Sequence, residues 1–230
     1  MNFSPEPQAV NNGEAQARTT KAGVPELYVV IDRGVFDNDE AWLRAIETLA
    51  DAHEDGLALQ IRLKETTPEH AMALATEARV ITWPSDIPVF FNGATEEAVA
   101  FDYNGVQWPE VLIPSREEET TILRGASVHS PDAARRARQG GADFVVAGTI
   151  FDAGSKDATG QGIDHLRGIV ISTPLPVLAI GGISPERVLA CIEAGAAGVA
   201  VVTGVLSAPD PVAAVHEYRR ALDEAGGVSR

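Results

Sequence analysis

Of the five histidines, His129 closes an apolar run, Gly125-Ala-Ser-Val-His-Ser130. An imidazole with an ordinary pKa of about 6.5 takes and gives protons at neutral pH, so a general acid/base is the natural reading of this residue. His53, His70, His165 and His216 fall in amphipathic stretches and read as surface or helix-packing residues. In Gln60-Ile-Arg-Leu-Lys64, alternation along a strand sends Gln60, Arg62 and Lys64 to one face. Polar groups turned into a core are costly unless they line a site, which makes this face a candidate ligand surface. Asn92 and Gln107 close two further apolar runs and offer neutral amides for hydrogen bonding. Gly181-Gly182 and Val202-Thr203-Gly204 each stand between an apolar run and a helix-like stretch. Glycine lets backbone N–H groups approach an oxyanion, and a helix N-terminus favours negative charge, so both turns are candidate phosphate loops. Lys156 lies in the Gly-rich, polar stretch Phe151–Gly162, a loop able to close over an anionic substrate. Trp108 could wall a planar ligand or simply pack at the end of a strand.

No His, Asp or Glu grouping has recognisable metal-ligand spacing, and the residues call for no cofactor. The single cysteine, Cys191, sits in the apolar stretch Arg187-Val-Leu-Ala-Cys-Ile and reads as core. One cysteine excludes an intramolecular disulfide and a multi-cysteine zinc site, in keeping with a reducing compartment.

The elements that must position these residues follow from hydrophobic patterning. Apolar runs begin at Leu27, Leu57, Val89, Gly105, Leu123, Phe144, Val177 and Gly198. Several are apolar at consecutive positions, as strands covered on both faces of a parallel sheet should be. Longer amphipathic segments separate them, with helix-start signals at Ser130-Pro131-Asp132, Ser184-Pro185-Glu186 and Pro209-Asp210-Pro211. Repeated βα units of this kind predict an α/β protein, a single (β/α)8 TIM barrel over residues 24–230. A doubly wound open sheet would want a GxGxxG turn after its first strand, and Ile31-Asp-Arg-Gly-Val-Phe is not one. Residues 1–23 are rich in polar residues, Pro and Gly without apolar periodicity, and are expected to form a flexible N-terminal extension. In a barrel, chemistry gathers at the carboxyl ends of the strands, where all the candidates above fall.

Composition narrows the function further. Eighteen Lys+Arg against thirty-three Asp+Glu leave a formal charge of −15 in 230 residues, which argues against binding to nucleic acid or to an anionic membrane. No apolar run approaches the roughly 18 residues of a membrane span, and the first residues lack the pattern of a secretory signal. The expected location is the cytoplasm.

Together and in this order, these residues resemble the thiamine phosphate synthase superfamily over essentially all of Val24 to Leu222. The matching blocks are Gln60-x-Arg62-x-Lys64, Gly125-x-Ser127-x-His129, Gly141-Ala-Asp-Phe-Val, Gly148-Thr-Ile-Phe, Ser155-Lys156, Ala179-Ile-Gly-Gly-Ile183 and Ala194–Thr203. Synthases of that family carry Asn-Asp after strand 3 and a further Asp after strand 4, which hold the magnesium ion that neutralises a pyrimidine pyrophosphate. Here the corresponding segments are Asn92-Gly93 and Val106-Gln-Trp-Pro-Glu110. Glu110 alone could stand in for the second ligand, not for both. Asn-Gly, Val-Gln-x-Pro and Ser-Val-His-Ser instead resemble the thiazole tautomerases of the TenI type.

That resemblance implies a metal-free isomerase of thiamine biosynthesis, converting a carboxylated dihydrothiazole phosphate to its aromatic thiazole isomer. It implies His129 as the acid/base, the backbone at Gly181, Gly182, Val202 and Thr203 for the phosphate, and Gln60, Asn92 and Gln107 around the ring. Ser127, Arg62, Lys64 and Lys156 match the synthase residues that grip pyrophosphate and would here hold the substrate carboxylate. The partner implied is a phosphorylated thiazole, and association with other thiamine-pathway enzymes or with further copies of the chain stays open. Two alternatives stand beside this reading: a thiamine phosphate synthase that condenses pyrimidine pyrophosphate with thiazole phosphate, and a non-catalytic phosphate-binding regulator barrel.

Overall fold

The computed structural model describes residues 23–52, 54–64, 66–116, 119–152 and 160–228. Lys156, His53 and all but the last residue of the expected N-terminal extension lie outside them. Eight parallel strands close a barrel in chain order: β1 (Leu27–Asp32), β2 (Leu57–Arg62), β3 (Val89–Asn92), β4 (Gly105–Trp108), β5 (Leu123–Val128), β6 (Phe144–Ala147), β7 (Val177–Ile180) and β8 (Gly198–Val201). β8 returns to pair with β1 through Leu27↔Val199 and Val29↔Val201. The predicted (β/α)8 barrel is therefore the fold.

Alternation sorts each strand between two cores. Tyr28, Ala58, Phe90, Phe144, Val146, Leu178 and Ala200 pack together inside the barrel. Their odd-numbered neighbours, such as Val29, Leu59, Val145 and Val199, join the outer core under the helices. Three aromatic rings plug the interior edge-to-face: Tyr28–Phe90, Tyr28–Phe144 and Phe90–Phe144 have centroids 5.3, 5.9 and 5.7 Å apart. Gly105 makes this possible, because a Cβ there would collide with the Phe90 ring.

The helices of the outer ring are α1 (Asp39–Ala50), α2 (Pro68–Thr82), α3 (Thr95–Ala100), α4 (Pro131–Gln139), α5 (Ile163–Ser172), α6 (Pro185–Glu193), α7 (Thr203–Leu206) and α8 (Pro211–Val228). The predicted start at Ser130 is a true cap: its hydroxyl accepts the Ala133 N–H at 3.1 Å, with Pro131 opening the helix. Asp210 caps α8 in the same way, accepting from Ala213 N–H at 3.0 Å. Ser184 precedes α6 as expected, but its side chain makes no capping bond. Between β4 and β5 the described residues form a 3-10 turn, Glu110–Leu112, and no α-helix. That turn lies at the barrel rim and carries a carboxylate toward the end of β5.

Cys191 is fully buried among the outer-core residues, and burial pushes its thiol up to about 11. It is a packing residue. No helix among the described residues is long and apolar enough to cross a membrane.

Candidate active site

Because Ala58 and Phe90 face the interior, the alternation in β2, β3 and β4 carries Gln60, Arg62, Asn92 and Gln107 inward above the aromatic plug. Gln60 and Gln107 are almost wholly buried there, at 4% and 1% exposure. Two hydrogen bonds link three strands: Asn92 Nδ2 donates to the main-chain carbonyl of Gln107 at 3.2 Å, and the Gln107 side-chain Nε2 donates to Ser127 Oγ at 3.1 Å. Gly125 leaves the space that the Gln107 amide occupies, which gives a physical reason for the Gly125-x-Ser127 pattern. Arg62 is not a lone cation. It ion-pairs with Asp32 directly across the β1–β2 register, and Asp32 also accepts the Gly34 N–H at 3.1 Å. Lys64 stands two residues beyond the end of β2 at an exposed position. Trp108 is buried in the outer core with its indole N–H donating to Thr95 Oγ1 at 3.0 Å, so it packs the barrel wall.

His129 follows β5 directly and its side chain is 62% exposed at the rim. Glu110 reaches it from the 3-10 turn. The Glu110 Oε2 atom accepts the backbone N–H of His129 at 3.1 Å and lies 2.8 Å from the ring Nδ1. The other oxygen, Oε1, accepts from Arg136 Nη2 of α4 at 2.7 Å. Partial burial pushes the Glu110 carboxyl up, but the hydrogen bonds from His129 and Arg136 outweigh it and hold the group below its ordinary value. The carbonyl of His129 meets His165 Nε2 of α5 at 3.1 Å. His165 is thus tied to the site, beyond the helix-packing role expected of it.

The loops after β7 and β8 form the other side. Gly181 and Gly182 have φ of +100° and +59°, in the region that favours glycine. A Cβ on Gly182 would lie 2.5 Å from the Asp152 carbonyl oxygen and 2.8 Å from that of Phe151. The segment after β6 runs tightly beneath this turn, with Ile150 N–H donating to the Ile180 carbonyl at 2.9 Å and Phe151 N–H to that of Gly181 at 3.0 Å. Arg187 closes the turn from α6, donating to the Gly182 carbonyl at 2.6 Å while its guanidinium lies over the Phe151 ring. Val202 and Thr203 begin the short helix α7, whose first turn is made by Val205 and Leu206 N–H bonding back to the Val202 carbonyl. Tyr218 of α8 braces both loops: its hydroxyl donates to the Ile183 carbonyl at 2.8 Å and occupies the space left by Gly204. Burial, reinforced by Glu186 and Glu217, pushes that phenol up to about 12.

The donor set does not fit a magnesium clamp at the synthase positions. Position 93 is glycine, and a side chain there would run into Glu97, whose carboxylate accepts the Ala94 N–H at 2.8 Å. Glu110, the one residue able to replace a second ligand, has both oxygens engaged by His129 and Arg136. Among the described residues, no three His, Cys, Asp or Glu side chains gather as a metal-holding group.

The sequence assigns no site role to Asp32, His165 or Tyr218, and it reads Glu110 only as a stand-in metal ligand. A carboxylate two residues past the end of β4 is the available signal for Glu110; nothing local marks Tyr218.

A closed (β/α)8 barrel with a carboxylate-paired imidazole and glycine-lined turns at one rim is the architecture of a small-molecule enzyme. The model of the TMP-TENI family, described as thiamine monophosphate synthase, matches residues 27–205, and the chain belongs to that family. A thiamine-phosphate synthase of Natronomonas pharaonis is 35% identical over 179 residues, covering 74% of this chain and 82% of that protein. One of Pyrococcus furiosus is 32% identical over 207 residues, covering 88% and 97%. The solved structure of thiamine phosphate pyrophosphorylase from Pyrococcus furiosus superposes with a TM-score of 0.69 at 30% identity, covering 87% of this chain and 96% of that one. These names match the condensing enzyme that the sequence kept as its alternative, and none of the three is a tautomerase.

Proposed function

We propose that the protein is a thiazole tautomerase acting in thiamine biosynthesis, isomerising the carboxylated dihydrothiazole phosphate to the aromatic thiazole phosphate carboxylate. The observation that carries this reading is the state of the two synthase metal positions. One is glycine and the other carboxylate is hydrogen-bonded to His129, so the rim supports proton transfer better than pyrophosphate departure.

The phosphate sits on the backbone of Gly181, Gly182, Val202 and Thr203. Gln60, Asn92 and Gln107 surround the ring, and Ser127, Arg62, Lys64 and Lys156 meet the carboxylate. His129 removes the ring proton; the C–H bonding pair becomes the new ring double bond, and the exocyclic double bond supplies the pair that takes the proton back. Nothing is oxidised or reduced, and aromatisation drives the step. One imidazole serves both transfers.

The second reading is the synthase itself, favoured by the names of the relatives. Incubating the protein with the dihydrothiazole carboxylate phosphate, and separately with pyrimidine pyrophosphate, thiazole phosphate and magnesium, decides between them. The tautomerase gives aromatic thiazole in the first tube and no thiamine phosphate in the second, and His129→Ala lowers its turnover by about 10³-fold while product binding persists. Thiamine phosphate in the second tube would establish the synthase instead. Silence in both, with thiazole phosphate still bound, would leave a binding-only barrel.

A further inference from the structure

We infer that Glu110 is a positioning residue: it holds His129 in the tautomer with the proton on Nδ1, so that Nε2 is the nitrogen that exchanges protons with substrate. The catalytic meaning of this assignment rests on the isomerase reading, whereas the tautomer itself follows from hydrogen-bond chemistry alone.

An ionised carboxylate accepts hydrogen bonds and donates none. Glu110 is kept ionised by its neighbours, since Arg136 donates to Oε1 at 2.7 Å and the His129 backbone N–H donates to Oε2 at 3.1 Å. The contact of 2.8 Å between Oε2 and Nδ1 must therefore have its proton on Nδ1. In a neutral imidazole the other nitrogen is then the unprotonated one. No described residue hydrogen-bonds to Nε2.

Holding the ring is only part of the arrangement. One oxygen atom grips both the backbone and the ring of His129, which restrains its side-chain rotation as well as its tautomer. On the far side of the same residue, the His129 carbonyl can only accept, so His165 Nε2 carries a proton there and donates at 3.1 Å. His129 is thus tied through its amide, its carbonyl and one ring nitrogen to a 3-10 turn and a helix on either side. Arg136 in turn fixes the carboxylate from α4, the helix that begins two residues after His129. When Nε2 takes a proton, the imidazolium forms against a carboxylate already in place, with no reorganisation required.

The test is long-range proton–nitrogen correlation NMR on full-length protein with labelled histidine, at a pH where the imidazoles are neutral, with the His129 signals assigned by their loss in His129→Gln. The expected wild-type pattern is a protonated Nδ1 and an unprotonated Nε2. Glu110→Ala should move His129 toward the opposite tautomer and lower kcat on the order of 100-fold with KM within about threefold. Glu110→Gln keeps an acceptor without the charge, and should restore the tautomer but only part of kcat. Arg136→Met, which leaves the carboxylate in place, should preserve the tautomer.

A wild-type His129 protonated on Nε2, or a tautomer unmoved in a folded Glu110→Ala protein, would overturn the assignment. The spectrum needs no substrate. A Glu110-dependent tautomer in a protein without isomerase turnover would uphold the positioning and sink the reaction, and turnover with the wrong tautomer would do the reverse.

Discussion

The two sides of the rim are built from different materials. On the β7–β8 side the rim surface is backbone: Gly181 and Gly182 turn through positive φ, Gly182 is packed against the Asp152 and Phe151 carbonyls, and the side chains that matter, Arg187 and Tyr218, hold the main chain. On the β4–β5 side it is side chain, with Glu110, His129 and Arg136 meeting across a turn and a helix. A backbone surface is damaged by adding atoms, and a side-chain surface by removing them. Each half of the proposed chemistry can therefore be broken without the other.

The largest effect expected on the backbone side comes from Gly182→Val. A β-branched residue at φ of +59° is strained, and its Cβ would press on two carbonyl oxygens. About 2 kcal/mol of distortion transferred to the loop corresponds to a Kd for thiazole phosphate raised some 30-fold, read by calorimetry. His129→Ala, by contrast, should leave that Kd within about twofold while removing turnover. If both variants lost binding equally, the division of labour would be wrong.

A smaller change is expected from Tyr218→Phe. The ring stays and only the hydroxyl bond to the Ile183 carbonyl is lost, a loss of about 1 kcal/mol. It should appear as a modest fall in Tm and about a fivefold weaker phosphate affinity, with the His129 tautomer unmoved. A change confined to Tm would mean that the brace supports the fold and not the loops.

The smallest effect belongs beneath both sides. Tyr28 is fully buried in the barrel interior, its hydroxyl has no hydrogen-bond partner among the described residues, and burial pushes its pKa well up. Removing an unsatisfied hydroxyl relieves a desolvation penalty, so Tyr28→Phe should raise stability by up to about 1 kcal/mol in denaturant unfolding and change neither affinity nor turnover. A marked loss of activity would mean that the interior takes part in the site.

The same contrast explains what could be read from the chain in advance. The strands were legible because each is a short apolar run, and every predicted run coincides with a strand to within two residues at its end. The glycine turns were legible because a local backbone requirement is written at the position that meets it. His129 stood out because it stands just past the end of a strand. The dyad was not legible as such: Glu110 lies 19 residues before His129, Arg136 lies 26 beyond Glu110, and His165 lies 36 beyond His129. Their meeting depends on the rim turn that takes the place of a helix after β4, and no periodicity in the chain encodes that turn. Arg62 shows the same limit. Alternation correctly turned it inward with Gln60, but its pairing with Asp32 is a matter of strand register, which emerges only when β1 and β2 are side by side.

The aromatic plug of Tyr28, Phe90 and Phe144 has a consequence for traffic. With three interlocked rings closing the bore and Ala58, Val146, Leu178 and Ala200 fully or almost fully buried around them, the rim is a one-door room. Whatever enters must leave by the same opening, over the same loops, before the next molecule can enter. Product and substrate then compete for a single doorway, so accumulating product should slow the reaction by raising the apparent KM while leaving the maximal rate untouched.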